Sequence, residues 1–236
     1  VSLYNIYFYI QFLYQYTPSY SPCKEVSHLW STGMKLYDCK GTVNPRRVDI
    51  FLAEKGIEID RVQVDVFGGE HRSDNFRKLN PSCAVPFLEL DDGVVISEST
   101  AISRYIEGQQ PQPPLMGKTP QEQAYISMWQ RRVEDGLLYA AQHYFHHATP
   151  GLGEPDRYRN ADWGEANKQR AIETMRWLDK ELATRPFIAG EAFTIVDITA
   201  LCGIDFAHAL GVSMPSDCDA LNEWHSRVSA RPSAKA

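Results

Sequence analysis

A cluster of prolines near the middle of this 236-residue chain constrains its fold more than any other feature. The prolines are Pro111, Pro113, Pro114 and Pro120. Because proline fixes its own φ angle and donates no backbone hydrogen bond, neither a helix nor a central strand can run through this stretch. We therefore predict a linker over residues 110–120, which divides the chain into two units, residues 34–109 and residues 121–236.

The first unit begins with a strand, a turn and a helix within residues 35–56. Leu36 and Tyr37 indicate a short buried strand. Asn44 is a residue type that caps helices, and Pro45 suits the first helical position. Because the start of a helix presents unpaired N–H groups and a positive dipole end, this turn is a place where an anion, including a thiolate, would be stabilised.

Strand and turn patterns continue up to the linker. Residues 57–66 largely alternate apolar and polar side chains, which predicts a second strand, parallel to the first in a right-handed βαβ unit. Two short apolar runs flank Asp91, Asp92 and Gly93, a pattern typical of a β-hairpin. Because a helix pattern starts at Ser97, the predicted order is βαβ, a loop and then ββα. This order is an α/β unit with a mixed sheet.

Beyond the linker the sequence predicts only helices. Helical periodicity covers four segments, residues 121–147, 165–184, 194–210 and 219–230. The second unit is therefore expected to be all-helical. Thr194 and Asp197 have the spacing of a capping box, so we assign Asp197 a role in folding rather than in catalysis.

Composition excludes several classes of partner. A net charge of −6 and a pI near 5.7 provide no basic surface for nucleic acid or for an anionic membrane. The five cysteines are scattered without a CxxC pair, which predicts neither a disulfide framework nor a zinc site and suits the cytoplasm. Residues 1–33 lack the features of a signal peptide and of a spanning helix. We predict that they are an extension outside the fold, disordered or not part of the native protein.

Three segments carry a resemblance to a known family. The segment NPSCAVPFLEL (residues 80–90) places a valine before a proline at a strand start, and SEST (residues 97–100) opens a helix. The capping box of Thr194 and Asp197 follows a linker and further helices. In this order the chain resembles the cytosolic glutathione transferases, and among them bacterial theta- and nu-like members. The resemblance implies a thioredoxin-like first domain, an all-helical second domain, and a cytoplasmic homodimer that acts in detoxification.

The resemblance also implies where glutathione binds. In the family, the backbone before a cis proline pairs with the cysteinyl unit, which assigns this role to Val85 and Pro86 here. Glu98 and Ser99 would bind the charged γ-glutamyl end at the start of a helix. His71 resembles the theta-class histidine that meets the glycine carboxylate.

The chain departs from this pattern two residues before the cis proline. Theta-class members usually have a lysine there, and this chain has Ala84. The missing cation implies weaker binding of glutathione, or a replacement by Arg72 or Lys78. The resemblance implies glutathione as co-substrate, with no permanently bound cofactor and no metal.

Three residues are candidates for activating the thiol. Thr42 aligns with the serine of theta-like members, and Thr42 with Asn44 matches the Thr-x-Asn of the nu class. Cys39 matches the cysteine of beta and omega members only if the turn is shifted. Lowering a thiol pKa from about 8.5 to about 6.5 takes roughly 2.7 kcal/mol, which one hydroxyl and a helix start can supply. We rank Thr42 first, Asn44 second and Cys39 third.

The second substrate is expected between the two units, on the first long helix of the second unit. Tyr125, Trp129 and Arg132 recur there on one helical face. Three histidines within residues 143–147 have a spacing that could bind a metal, but a solvated helix end accounts for them better, since no carboxylate set accompanies them.

The sequence therefore predicts a glutathione S-transferase that conjugates the glutathione thiolate to electrophilic small molecules. A glutathione-dependent disulfide-bond oxidoreductase is one alternative, which the nu-like Thr-x-Asn pattern favours. A non-catalytic binding module with the same fold is another. The expected partners are glutathione and a small electrophile or disulfide, with neither nucleic acid nor a membrane.

Overall fold

The architecture comes from a computed structural model, which describes residues 33–153, 156 and 158–236. The extension predicted over residues 1–33 lies outside this part of the chain, apart from Gly33. Among the described residues, no helix combines the length and the apolar character that crossing a bilayer requires. The chain forms an α/β unit followed by a helical unit, which confirms the predicted fold class.

A four-stranded mixed sheet with the order β2-β1-β3-β4 forms the first unit. β1 pairs in parallel with β2 and antiparallel with β3, and β3 pairs antiparallel with β4. The strands are β1 (Lys35–Asp38), β2 (Asp60–Gln63), β3 (Phe87–Glu89) and β4 (Val95–Ser97). The helices of this unit are α1 (Val43–Lys55), α2 (Asp74–Leu79) and α3 (Ser99–Gln109). β2 is shorter than predicted, because only four of its residues pair with β1.

Each face of the sheet has its own core. Leu36 and Leu88 lie opposite each other across β1 and β3 and belong to the main core, which continues through α1 and α3 into the second unit. On the other face, Val64, Phe76 and Phe87 form a smaller core. Because successive strand residues point to opposite faces, β3 contributes Phe87 to one core and Leu88 to the other.

The second unit is built around one buried helix. Its elements are α4 (Pro120–Val133), a π turn (Glu134–Leu138), α5 (Tyr139–Ala148), α6 (Ala161–Leu182), α7 (Ile195–Ala209) and α8 (Asp219–Ser229). α7 is buried along most of its length. The predicted capping box opens α7 and is confirmed, because Thr194 Oγ1 accepts from Val196 N–H and Asp197 Oδ2 accepts from Thr194 N–H at 3.0 Å.

The first helix begins two residues earlier than the sequence predicts. α1 starts at Val43 with Thr42 as its N-cap, so Asn44 is not the cap and Pro45 occupies the third helical position. Proline fits there because the N–H groups of the first turn have no acceptor within the helix. As a result, Thr42 rather than Asn44 stands at the helix start.

The long helix predicted over residues 121–147 is interrupted by the π turn. There the Tyr139 N–H bonds to the Glu134 carbonyl, five residues back. Gly136 lies against α6, where the Thr174 hydroxyl donates to the Gly136 carbonyl at 2.9 Å. A Cβ at Gly136 would come within 2.6 Å of Thr174 Oγ1. The close approach of α6 to this position therefore requires glycine. The extra residue in the π turn rotates α5 relative to α4, and the periodicity of the side chains in the sequence did not predict this rotation.

Ion pairs join the two units at both ends of α1. Arg46 pairs with Asp205 of α7 at 2.7 Å, and Arg231, which follows α8, makes two 2.8 Å hydrogen bonds to Glu54. The start of α1 therefore lies beside the later part of α7. This arrangement places side chains of the second unit opposite the turn that precedes α1.

Candidate active site

Thr42 stands at the mouth of α1 and is half-buried. Its hydroxyl donates to the Cys39 carbonyl at 2.6 Å, and its N–H points to the same carbonyl at 3.2 Å. The first turn of α1 carries no acidic side chain, so no carboxylate neutralises the positive end of the helix dipole. The α1 mouth thus combines one hydroxyl with a helix start that favours an anion.

A hydrogen bond joins the starts of α1 and α3. Ser99 Oγ donates to the Asn44 carbonyl at 3.2 Å, and Asn44 Oδ1 accepts from Arg47 Nη1 at 3.2 Å. Within the described chain, the Asn44 NH2 group has no hydrogen-bond partner. Glu98, the N-cap of α3, has φ 73°, which is left-handed backbone that non-glycine residues rarely adopt outside functional sites. Two helix starts and an exposed carboxylate therefore meet in one place.

The Val85–Pro86 peptide bond is cis, as the family resemblance implies. Val85 comes before β3 begins at Phe87, and its side chain packs against the smaller core. In the part of the chain that the structure describes, the backbone N–H and C=O of Val85 have no hydrogen-bond partner. Both groups are free to pair with an extended peptide, in the way that a sheet edge accepts one more strand.

Cys39 is poorly placed to supply a thiolate. Its side chain is buried, and burial raises the pKa of the thiol, while a hydrogen bond involving the Val66 backbone opposes the shift. The carboxylates of Asp38 and Asp65 raise the pKa further. The Cys39 thiol therefore stays neutral near pH 7.

A buried polar cluster lies beneath the two helix starts, and sequence reasoning missed it. Glu134 Oε1 accepts from Arg47 Nη2 at 2.6 Å, from Thr100 Oγ1 at 2.8 Å and from Gln130 Nε2 at 3.0 Å. Gln130 Nε2 also lies 2.8 Å from Thr199 Oγ1 of α7. We call these five residues the Glu134 cluster. Only the four-residue spacing of Gln130 and Glu134 gave a local sequence signal, since the other partners are far apart in the chain.

Tyr125, Trp129 and Arg132 form a different surface from the α1 mouth. Trp129 is buried and stacks on Trp177 of α6, with ring centroids 4.9 Å apart. The Arg132 guanidinium lies over the Trp129 ring, and the Tyr125 hydroxyl bonds to Arg185. The structure thus packs these three side chains against α6 and the segment after it. Gln130 and Glu134, on another face of the same helix and the π turn, form hydrogen bonds with side chains of the first unit.

Another group of aromatic side chains lies in the second unit near residues that contact α1. Phe206 follows Asp205, the partner of Arg46, and Phe145 of α5 packs edge-on against Phe206 at 5.7 Å. Tyr139 lies one π turn after Glu134 and is half-buried. Burial raises the pKa of its phenol, and the Glu134 carboxylate adds to the effect, so Tyr139 stays protonated and can donate a hydrogen bond. We call Tyr139, Phe145 and Phe206 the aromatic wall.

The three histidines near the end of α5 have separate contacts. His146 Nδ1 lies 2.9 Å from Asp156 Oδ2, and His147 Nδ1 accepts from the Asn160 N–H at 3.2 Å. Burial lowers the pKa of His143, and the neighbouring histidines lower it further. In the described ranges, no three histidine, cysteine or acidic side chains converge as a metal site would require.

Comparisons with known proteins identify the family of the chain. Residues 43–109 match the family model of the glutathione S-transferase N-terminal domain, and residues 140–232 match that of the C-terminal domain. Glutathione S-transferase 2 of Saccharomyces cerevisiae is 42% identical over 205 residues, which cover 86% of this chain and 88% of the relative.

Solved structures of bacterial proteins have the same fold. A glutathione S-transferase domain-containing protein of Marinobacter aquaeolei superposes with a TM-score of 0.83 at 47% identity, covering 84% of this chain and 98% of that one. A class Gtt2 glutathione S-transferase of Vibrio parahaemolyticus gives a TM-score of 0.74 at 36% identity, with coverage of 84% and 94%.

Proposed function

The chain belongs to the glutathione S-transferase family, and we propose that it activates glutathione as a thiolate and transfers it to electrophilic small molecules. The observation that carries the proposal is the hydrogen bond between Ser99 and Asn44, which joins two helix starts beside the unpaired backbone of Val85. One site can then hold a tripeptide at its backbone, at its γ-glutamyl carboxylate and at its thiolate.

Glutathione is proposed to lie between Val85 and the two helix starts. The Val85 N–H and C=O pair with its cysteinyl unit. The Ser99 hydroxyl and the N–H groups of the first turn of α3 bind the γ-glutamyl carboxylate, and Glu98 faces the γ-glutamyl ammonium. This placement directs the cysteinyl thiol toward the α1 mouth.

Thr42 is proposed to donate its hydroxyl hydrogen bond to the glutathione sulfur. The hydroxyl donates to the Cys39 carbonyl in the present structure, so it has to rotate toward the sulfur. A thiolate is the stronger acceptor because it is charged, which favours this exchange. The unpartnered Asn44 NH2 group supplies a second donor. The raised pKa of Cys39 makes that residue the weakest of the three candidates.

The electrophile is proposed to contact the aromatic wall rather than the surface around Trp129. Phe145 and Phe206 provide an apolar surface, which we propose to lie opposite the α1 mouth, and the Tyr139 hydroxyl provides a neutral donor. An aromatic or α,β-unsaturated electrophile suits this combination, because its ring packs on Phe145 and Phe206 while a polar substituent accepts from Tyr139. Tyr125, Trp129 and Arg132 remain the sequence-based prediction for the same role.

Disulfide reduction is the second candidate function. Thr42 and Asn44 present two donors at the helix mouth, one for each sulfur of a mixed disulfide as it breaks. Glutathione disulfide would then be the product. We also propose a cytoplasmic homodimer that acts in detoxification, and light scattering at several protein concentrations tests the dimer.

A two-substrate assay tests the function. Wild type, Thr42→Ala, Thr42→Ser and Cys39→Ala are assayed with glutathione and either chlorodinitrobenzene or hydroxyethyl disulfide. Because a hydrogen bond to a charged group contributes about 1.5–3 kcal/mol, we expect Thr42→Ala to lower kcat/KM roughly 10- to 100-fold, while Thr42→Ser and Cys39→Ala stay near wild type.

The other outcomes separate the candidates. Unchanged thiolate absorbance and kcat in Thr42→Ala would remove Thr42 from the mechanism. Faster turnover of the disulfide than of the aryl halide would make disulfide reduction the main activity. Binding of glutathione without turnover of either substrate would leave a binding module.

A further inference from the structure

The electrophile site proposed on the aromatic wall leaves the surface around Trp129 without a role. Tyr125, Trp129 and Arg132 follow one another on α4 at spacings of four and three residues, so they share one face of that helix. Trp177 and Arg185 complete this surface from α6 and the segment after it. We call these five residues the Trp129 patch. All five side chains carry hydrogen-bond donors, and only the Tyr125 oxygen can also accept.

Arg132 is held on the patch by aromatic rings rather than by an acid. Its guanidinium carbon lies 5.4 Å from the centroid of the Trp129 ring and 6.0 Å from that of the Trp177 ring. The two rings are stacked, with 12° between their planes. The Arg132 side chain is exposed, and its guanidinium donates to no residue that the structure describes. A guanidinium that is fixed on rings and has no counter-ion is well placed to bind an anion.

The Tyr125 hydroxyl has a hydrogen to donate. Its oxygen accepts from Arg185 Nη1 at 3.3 Å. The pKa of the phenol is lowered, first by the Trp129 indole that faces it and then by Arg185. Indole and guanidinium N–H groups can only donate, so the phenol hydrogen needs another acceptor, and the described chain supplies none. Because Tyr125 is 43% exposed, an acceptor can reach it from solvent.

Two N–H groups of the patch are buried without an acceptor. Only 3% of Trp129 is exposed, and its Nε1 faces the Tyr125 phenol without completing a well-formed hydrogen bond in the described chain. Arg185 Nε is also buried and unpartnered, while Arg185 Nη2 pairs with Glu181 at 2.5 Å. Buried donors are nearly always satisfied in folded proteins. Two such donors on one surface therefore indicate an acceptor that comes from outside the chain.

The charge of the patch favours an anion. Glu181 is engaged by Arg185, so that pair is neutral and the charge of Arg132 remains uncompensated. Arg131 and Asp135, which lie beside Arg132 in the sequence, form their own ion pair at 3.1 Å. The patch is thus locally positive on a chain whose net charge is −6. A local positive field of this kind attracts small anions.

We propose that the Trp129 patch binds a phosphate monoester at a site separate from the glutathione site. The Arg132 guanidinium binds two phosphate oxygens as a fork, and the third oxygen accepts from the Tyr125 hydroxyl beside the Trp129 N–H. A phosphate suits this set because it has three acceptor oxygens and close to two negative charges, whereas a carboxylate has two oxygens and one charge. The proposal does not depend on the proposed function.

Titration calorimetry with phenyl phosphate tests the proposal. Phenol is the uncharged reference, and benzoate is the reference with two oxygens. We expect wild type to bind phenyl phosphate with a Kd of about 0.1–1 mM, to bind benzoate at least about fivefold more weakly and not to bind phenol. Absence of phenyl phosphate binding would overturn the proposal. Equal affinity for benzoate would overturn the assignment to a phosphate, and equal affinity for phenol would show that the rings alone bind the ligand.

Four variants assign the binding to the named side chains. Because a hydrogen bond to a charged group is a strong one, we expect Arg132→Ala to weaken phenyl phosphate roughly 10- to 100-fold, Tyr125→Phe to weaken it about fivefold, and Arg132→Lys, which keeps the charge but loses the fork, to fall between wild type and Arg132→Ala. Arg131→Ala is the matched control, since it removes the same charge one residue away and should stay within about twofold. Tyr125, Arg131 and Arg132 are exposed, so these variants should keep the Tm of wild type. Equal weakening by Arg131→Ala and Arg132→Ala would overturn the proposal, because only the net charge would then matter.

The location of the site is tested by competition. Saturating S-(2,4-dinitrophenyl)glutathione should leave the Kd for phenyl phosphate unchanged. Displacement of phenyl phosphate would put the phosphate into the glutathione or electrophile site and overturn the proposal. Light scattering on wild type and Arg132→Ala should give the same molar mass. Dissociation of Arg132→Ala at the same protein concentration would also overturn the proposal, because the patch would then be a contact between copies of the chain.

Vesicles distinguish a soluble phosphate from a lipid headgroup. Phosphatidylcholine vesicles that contain phosphatidic acid present the same phosphate monoester on a surface. Because the chain is negatively charged as a whole, we expect it not to cosediment with these vesicles. Cosedimentation that is lost in Arg132→Ala, together with no binding of phenyl phosphate, would overturn the assignment to a soluble ligand.

Discussion

Two buried carboxylates of the second unit are satisfied in opposite ways. Asp197 accepts from the N–H groups of Ile188 and Thr194, from the Thr194 hydroxyl and from the Trp224 indole, each at 3.0 to 3.2 Å. Its donors thus include no cation. Glu134 accepts only from side chains, and one of them is the Arg47 guanidinium of the first unit.

This difference separates a folding device from a device that orients the site. The Asp197 contacts close the start of α7 within the second unit. The Glu134 cluster reaches through Arg47 to Asn44, and from there to Ser99, so it links the second unit to both helix starts of the site. We therefore expect changes at Asp197 to affect stability, and changes at Glu134 to affect glutathione binding as well.

Asp197→Ala should have the largest effect. The substitution leaves four buried donors without their acceptor, and each such donor costs at least about 1 kcal/mol, so we expect a loss of about 4 kcal/mol in the free energy of unfolding. Urea denaturation followed by circular dichroism measures the loss. The KM for glutathione of the remaining folded protein should be unchanged. A loss below about 1 kcal/mol would show that the Asp197 contacts do not hold α7 in place.

Glu134→Leu should have the next largest effect, because it leaves the Arg47 charge buried without a counter-ion. The side chains of Arg47 and Glu134 are only 5% and 9% exposed, and breaking such a pair costs about 3 kcal/mol. The double variant Arg47→Met/Glu134→Leu is the matched control, since it removes both charges and should recover most of the stability.

The double variant also tests whether the Glu134 cluster orients the glutathione site in addition to stabilising the fold. Its KM for glutathione should stay raised, because Asn44 has lost the Arg47 hydrogen bond that orients it. Recovery of both stability and KM would show that the Glu134 cluster is only a folding device, like the Asp197 contacts.

Thr194→Ala, which changes the N-cap next to Asp197, should lower the free energy of unfolding by a smaller amount. It removes the hydroxyl that accepts from the Val196 N–H, and loss of an N-cap costs about 1 kcal/mol. Thermal unfolding measures the change, with Thr194→Ser as the control that keeps the hydroxyl. A change as large as that of Asp197→Ala would mean that the hydroxyl, and not the carboxylate, holds the start of α7.

The ion pair between Arg46 and Asp205 is a third contact between the units, and its contribution to stability should depend on pH. We expect this effect to be the smallest of those described here. Burial raises the pKa of Asp205, but the hydrogen bond from His225 and the charge of Arg46 outweigh it and hold the pKa below its usual value. Because the folded pKa is the lower one, the stabilisation is fully present above the unfolded value of about 3.9 and is lost as the pH falls through the folded pKa.

The measurement is the difference in Tm between wild type and Asp205→Asn at pH 7 and at pH 3. We expect wild type to be the more stable at pH 7 and the difference to shrink at pH 3. A difference of the same size at both pH values would show that the Asp205 charge contributes nothing to the contact between the units.

The same contrast explains how much could be predicted from the sequence. The Asp197 cap was predictable because Thr194 and Asp197 lie three residues apart and backbone geometry alone brings them together. The cis Pro86, by contrast, was implied by the family resemblance, and the helix pattern that starts at Ser97 in the sequence begins at Ser99 in the structure. The order of an α/β unit followed by helices was also predicted from local patterns of periodicity and turns, and the structure confirms it.

The rest depends on contacts between distant residues. Arg47 and Glu134 are 87 residues apart, and no pattern in either helix indicates that they meet. The burial of His71 was also unpredictable, since the sequence around a loop histidine does not show which residues enclose it. The start of α1 was misplaced because a proline fits several positions in a first turn.

The π turn has a consequence for how this site can change in evolution. A π turn amounts to one extra codon in an otherwise regular helix, and its gain or loss rotates every later side chain by about 100°. α4 would keep its contacts with the first unit, while Tyr139 and Phe145 would leave the aromatic wall. A single three-nucleotide insertion or deletion at Gly136 could thus exchange the surface offered to electrophiles without altering the glutathione side.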